Sequence, residues 1–150
     1  MTVPTNVFEK ESHLSDVLIN GLFGGVLGGI AMMLVLILGS YAAGQAPATV
    51  MSHFGIPGQL PNPLVGTLLH LSVSAVYGMI FGILRYLLTR RWESIWVGML
   101  LGVIYGIGLY LFAIFVMLPS TGSALLEIAP LIFLSGHIVY GLVLGAVTRV

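Results

Sequence analysis

"HIVYGLVLGAVTR", residues 137–149, is apolar and glycine-bearing almost throughout, yet it opens on a histidine and closes on an arginine. A second stretch, "HLSVSAVYGMIFGILR" at 70–85, has the same plan: both contain V-Y-G-x-x-x-G and both end in arginine. Lipid supplies no hydrophobic drive for helices to associate, so small residues at every fourth position, which let backbones approach, are what hold such segments together. Both stretches are therefore read as transmembrane helices with glycine-lined faces. Strands are excluded, because open strands leave backbone groups unpaired in hydrocarbon and the chain is too short and too uniformly apolar for a barrel.

The rest of the chain agrees. Of 150 residues, 58% are hydrophobic and 7% charged, with a mean hydropathy of +1.09; a soluble domain carries about 25% charged residues, so this is a membrane protein. Four segments, 17–38, 64–88, 95–118 and 130–148, are long enough to cross roughly 30 Å of hydrocarbon. The fold class is all-α: an integral membrane four-helix bundle in one domain, with a cytoplasmic segment 1–16 and one long outer loop, 39–63. Ser15 and Asp16 are placed to cap the first span, and Pro130 suits the first turn of the fourth. In the loop, Pro47 is expected to start a short helix through about Phe54. Gly55, Pro57, Gly58, Pro61 and Pro63 are expected to break regular structure after it, and this apolar loop to lie on the outer membrane surface or against a partner.

Charge sets the expected orientation. Lys10, Arg85, Arg90, Arg91 and Arg149 all fall on one side, and the opposite loops, 39–63 and 119–129, contain no Lys or Arg. The positive-inside rule then places both termini in the cytoplasm, with Tyr86, Trp92 and Trp96 as the interfacial aromatics. The expected location is a bacterial or archaeal inner membrane, crossed several times. The N-terminal segment lacks the basic-then-apolar pattern of a cleaved signal peptide and is expected to remain. With no cysteine, disulfides, thiolate metal sites and Cys nucleophiles are excluded. Net formal charge is zero, so nothing suggests a nucleic-acid partner.

Glycine spacing is helical throughout. Gly21, Gly25 and Gly29 form one i,i+4 row with Gly24 and Gly28 beside it; Gly98, Gly102 and Gly106 form another; Gly78/Gly82 and Gly141/Gly145 complete the set. The pattern suggests a duplicated helical hairpin, aligning Gly24/Gly28 with Gly98/Gly102 and Gly78/Gly82 with Gly141/Gly145. These rows either pack within one chain or leave faces for a second copy or for other membrane subunits.

His137 shares an i,i+4 stripe with Gly141, Gly145 and Arg149, and His70 shares one with Ser74, Gly78 and Gly82. Both therefore project from faces expected to be buried. Counted from the terminal arginines, His70 lies 15 residues away and His137 12, a depth difference of about 5 Å, or one turn. Three readings compete. Each histidine stays neutral and hydrogen-bonds across helices, to a backbone carbonyl or to Ser72, Ser74, Tyr77, Ser135 or Tyr140. Alternatively His70 and His137 are cofactor ligands, to a b-type haem, which the depth mismatch and the lack of outer Lys or Arg oppose. The third is an outer metal or proton site drawing on Met51, His53, His70, Glu127 and His137, where copper accepts imidazole and thioether. Intramembrane ionisable residues are functional candidates by default.

No Walker loop, nucleophile elbow, H-E-x-x-H or dinucleotide fingerprint is present, and paired carboxylates are absent, so an autonomous enzyme is not indicated. The first span lacks the intramembrane acid that a small proton-coupled exporter needs. The ending "SGHIVYGLVLGAVTR" resembles the C-terminal signature H-x-x-Y-G-x-x-L-G of an uncharacterised family of small four-helix prokaryotic membrane proteins, matched by His137, Tyr140, Gly141, Leu144 and Gly145. The glycine-rich opening "GLFGGVLGGIAMMLVL" is similar in character. The resemblance implies a fold and no activity. The expected role is a non-catalytic accessory subunit of a larger membrane complex, with a respiratory or photosynthetic electron-transfer complex as host. A haem- or metal-binding membrane protein using His70 and His137, or a small channel or transporter, are the alternatives.

Overall fold

Between Thr5 and Ala42 no proline interrupts the chain, and a single helix, α1, runs the whole way. The structure, a computed structural model, describes residues 5–89 and 94–148, with side chains over 14–88 and 94–148. Arg90, Arg91, Trp92, Arg149 and the side chain of Lys10, on which much of the charge asymmetry rests, lie outside that description. Ser15 and Asp16 are interior to α1 and do not cap it. Helix propagation, once nucleated, is favourable through ordinary residues, so the polar segment from Thr5 joins the span without a break.

The long loop is partly helical. Pro47 opens α2 (Pro47–Ser52), whose Val50 and Met51 are buried. Pro63, expected as a breaker, instead occupies the first turn of α3 (Pro63–Thr89). The Asn62 carboxamide oxygen accepts hydrogen bonds from the Leu64 and Val65 backbone N–H groups at 3.0 and 3.2 Å, satisfying donors that a helix start leaves open, and proline at the first position lacks the donor that would go unpaired.

The third rod is compound: α4 (Ile95–Phe112), one π-helical stretch (Ala113–Met117) and α5 (Leu118–Thr121). Pro119 is the cause. It has no N–H for the Phe115 carbonyl and its ring crowds that turn, so the helix widens on its N-terminal side. Gly122, at φ +60°, ends the rod in the left-handed conformation. A 3₁₀ turn (Ala124–Glu127) leads to α6 (Pro130–Val147), with Pro130 in its first turn.

Four of these elements are long and apolar enough to cross a bilayer, and no strand occurs among the described residues. Their outward faces are carbon: Phe23, Leu34, Leu38, Leu64, Leu87, Trp96, Leu100, Phe115 and Leu131 are all exposed. Soluble monomers rarely leave such continuous apolar surface uncovered, so the bundle is built for lipid. One end carries Arg85 (the arginine end); the other carries α2 and the 3₁₀ turn (the loop end).

Glycines decide which rods touch. A methyl on Gly21 or Gly25 would strike α3 backbone at Gly78 and Ser74, and one on Gly102, Gly106 or Gly98 would strike the carbonyls of Gly141, His137 and Gly145 in α6. Gly24 and Gly28 face a third contact, Thr148, Leu144 and Tyr140 of α6. Rising numbers meet falling ones in every pair, so all three contacts are antiparallel. All twelve glycines of the sequence rows thus pack inside the chain: Gly21, Gly25, Gly29, Gly78 and Gly82 between α1 and α3, Gly24 and Gly28 against α6, and Gly98, Gly102, Gly106, Gly141 and Gly145 between α4 and α6. None forms a row left over for a neighbour.

The two hairpins are alike, with a correction of register. Gly78 lies against the Gly21 carbonyl as Gly141 lies against that of Gly102, and Gly25 meets the Ser74 carbonyl as Gly106 meets that of His137. Gly21 and Gly25 therefore correspond to Gly102 and Gly106, and the Gly24/Gly28 pair aligned from sequence has a different partner.

Contacts run α3–α1–α6–α4, and the ring does not close: α3 and α4, though joined by a short connection, barely meet. Their main bridge is the Tyr105 hydroxyl, which donates to the Tyr77 carbonyl at 2.9 Å, with the Tyr105 and Phe81 rings 5.3 Å apart. Interhelical hydrogen bonds in membranes contribute about 1 kcal/mol. Tyr105→Phe is accordingly expected to lower unfolding stability in mild detergent by about that amount while leaving helicity unchanged; no loss would mean the bridge is not formed.

Candidate functional site

The open side of the ring holds a chamber of about 160 Å³ toward the loop end. His70 of α3 and His137 of α6 both line it, with Met32, Phe54, Ser74, Tyr77, Met117 and Tyr140 among the other walls. The π-helical stretch forms one side, through Ala113 and Met117, so Pro119 shapes the site from outside it. Phe54, from the loop after α2, closes over His70 with ring centroids 4.5 Å apart, and Leu125 of the 3₁₀ turn lies beside it in the wall.

Each histidine is held by one ring nitrogen. The His70 Nε2–H donates to the Gly29 carbonyl at 3.0 Å, a contact that the bare glycine backbone makes reachable. The His137 Nδ1–H donates to the Phe133 carbonyl at 2.8 Å, and its ring is stacked edge-on against Phe133, centroids 4.5 Å apart. A carbonyl only accepts, so these bonds assign the tautomers of the neutral rings. The remaining nitrogens, Nδ1 of His70 and Nε2 of His137, make no hydrogen bond among the described residues. Both rings are buried, at 7% exposure each.

Their depths also agree. Gly25 meets α3 between Ser74 and Gly78, and Gly28, one turn further along α1, meets Tyr140. Tyr140 thus lies level with the Ser74 turn, and its hydroxyl donates to the Ser74 carbonyl at 2.8 Å. His70 and His137, each about one turn toward the loop end, are nearly level. The one-turn mismatch counted from the arginines is corrected here, because the two arginines are not at equal depth. Arg85 lies beyond the end of α6 and reaches back, its guanidinium donating to the Gly145 carbonyl at 2.7 Å and to that of Thr148.

That reach was not legible in the sequence. Arg85 is 4% exposed, so it is no interfacial anchor; it caps the last carbonyls of α6, where a cation complements the helix dipole. Gly98 makes space for it, since a methyl there would meet the guanidinium.

The five-residue metal set is split. His53 and Glu127 face each other at 3.7 Å at the loop end, where they tie α2's loop to the 3₁₀ turn. Met51 is a buried residue of α2 itself, its carbonyl against Gly66 of α3. Only His70 and His137 share the chamber, and no group of three or more acidic, His or Cys ligands occurs among the described residues. The chamber brings in Met32 and Met117 instead, which no spacing in the sequence connects. The chamber is smaller than the roughly 300–1,000 Å³ of sites that enclose small organic ligands, and its own walls offer no Lys or Arg for the propionates of a porphyrin.

A second chamber of about 380 Å³ lies between α3 and α4 toward the arginine end, walled by Phe81, Leu84, Arg85, Leu101, Ile104 and Gly108 among others. Leu109 belongs to both walls.

These features define a polytopic, all-helical membrane protein with a histidine-lined pocket between its second and third spans. The chain belongs to a family of unknown function (DUF6789), whose profile matches residues 15–150, which agrees with the resemblance read from the first and last spans. No curated protein and no solved structure matches it.

Proposed function

We propose that this protein is a non-catalytic membrane accessory that holds a lipid-soluble molecule in the chamber between α3 and α4. The observation carrying this reading is that two level, buried imidazoles, each oriented by a backbone carbonyl through one nitrogen, both line one small apolar cavity on the unclosed side of the bundle. A ligand dissolved in the bilayer needs no aqueous entry, and the cleft offers it a lateral one. With the glycine rows occupied internally, the accessory role rests on this pocket and not on spare packing faces. A host such as an electron-transfer complex, where lipid-soluble carriers are handled, is the setting it suits. The chamber's almost wholly carbon lining favours neither a channel nor an ion path.

The test is extraction. Protein purified in mild detergent is expected to carry an organic-extractable molecule near one per chain, lost in His70→Leu and His137→Leu. A wild type without one, or variants that retain it, would refute the reading.

A second reading has its own observation: Met32 and Met117 line the same chamber as the two imidazoles, and monovalent copper accepts thioether and imidazole together. It predicts stoichiometric copper in anaerobically isolated protein; metal-free protein that takes up none removes it.

We further propose that both termini face the cytoplasm of a bacterial or archaeal inner membrane, from the lack of Lys and Arg in 39–63 and 119–129. The native chain has no cysteine, so single-cysteine labelling reads this directly. An impermeant maleimide is expected to label Gln59→Cys in intact cells and Ser94→Cys only after permeabilisation; the opposite pattern inverts the topology.

A further inference from the structure

The chamber's size and polarity specify more than lipid solubility. A carbon-lined cavity of about 150 Å³ takes up a single benzene ring, and this one measures about 160 Å³. Its two unpartnered groups, Nδ1 of His70 and Nε2 of His137, are acceptors, because each neutral ring has already committed its N–H to a carbonyl. An imidazolium in this carbon-walled space would be an uncompensated charge, so the rings do not act as cationic donors. The polar part of the ligand must therefore donate. A carbonyl-bearing head would set acceptor against acceptor and leave both nitrogens unpaired.

On the arginine-end side of the Tyr105–Tyr77 bridge lies the second chamber, which is more than twice as large, shares Leu109 and is otherwise lined by carbon apart from Arg85 and Tyr105. At Gly108 there is open space where a side chain would be. This is room for an apolar chain running from the head toward the arginine end.

Resting on the binding function proposed above, we infer that the ligand is a hydroquinone: one aromatic ring whose hydroxyls donate to His70 and His137, with its long apolar tail lying along the α3–α4 cleft in the Gly108 chamber. The protein discriminates the reduced from the oxidised carrier by hydrogen-bond polarity alone.

Calorimetric titration of nanodisc-embedded protein under anaerobic conditions tests this, with decyl-substituted hydroquinone and the matching quinone as probes. The hydroquinone is expected to bind at least tenfold more tightly. His70→Gln and His137→Gln, which add an amide donor, are expected to narrow that preference. Gly108→Leu, which fills the second chamber, is expected to weaken the decyl probe severalfold and leave a methyl-substituted hydroquinone unchanged. Equal binding of the two oxidation states, no binding of either, or a preference unaltered by the glutamine variants would overturn the donor assignment. A Gly108→Leu variant that binds both tail lengths as wild type does would overturn the tail's course. In each case an extractable lipid-soluble molecule, lost with the histidines, would still stand for the broader binding function.

Discussion

Gly102→Ala is expected to destabilise the protein by about 3 kcal/mol or more, the upper end of overpacking costs. The added methyl would enter the carbonyl of Gly141, and both partners are backbone, so no side chain can rotate away. Relief requires α4 and α6 to separate along their whole length, which loosens Gly98 against Gly145 and Gly106 against His137 as well. Gly141→Ala meets the Gly102 carbonyl from the other side and is expected to cost a similar amount. The double variant is expected to cost less than both together, because the first methyl has already parted the helices. Gly108→Ala is the control: nothing lies within 4 Å of its added methyl, and its stability is expected within about 1 kcal/mol of wild type, in the stabilising direction. Thermal unfolding in one detergent, followed by size-exclusion profile, reads all four. Equal stability of Gly102→Ala and Gly108→Ala would remove the proposed contact between α4 and α6.

Arg85→Met is the second large effect, expected to lower stability by about 1.5–3 kcal/mol, the range of a charged hydrogen bond. The substitution keeps an apolar stem of similar reach and removes the donors that serve the Gly145 and Thr148 carbonyls. Those carbonyls lie at the buried C-terminal end of α6, where a helix leaves its last C=O groups without intrahelical partners. Arg85→Lys is expected to fall between, since an ammonium is a point donor without the guanidinium's fixed fork. Hydrogen exchange should localise the change to the last turn of α6. Loss no greater than that of a lipid-facing control such as Leu87→Ala would place Arg85 in the headgroup region and not on α6.

Those two residues show how far local pattern reached. Gly102 was legible as a packing residue because its neighbours at Gly98 and Gly106 repeat with the helix, but its partner was not. Rows of glycines look the same when slid by one or two turns, and the Gly24/Gly28 alignment with Gly98/Gly102 was such a slip. Arg85 was legible as a charge near the end of a span, yet whether a long cationic side chain turns to water or back into the bundle depends on what stands beside it. Here a glycine and the end of another helix stand there. His70 and His137 were singled out correctly as inward-facing by their stripes. Their common depth required α1, which acts as the ruler between α3 and α6.

By itself the sequence determined four crossings, helical throughout, with glycine faces inward and two imidazoles among them. Hydropathy over some twenty residues and spacing of four are properties of one helix at a time. The tertiary structure alone decided that the ring stays open between α3 and α4, that Met32 and Met117 join the histidines, and that Arg85 closes α6. A cavity is the space where two helices fail to meet, and no single segment encodes its neighbour's distance.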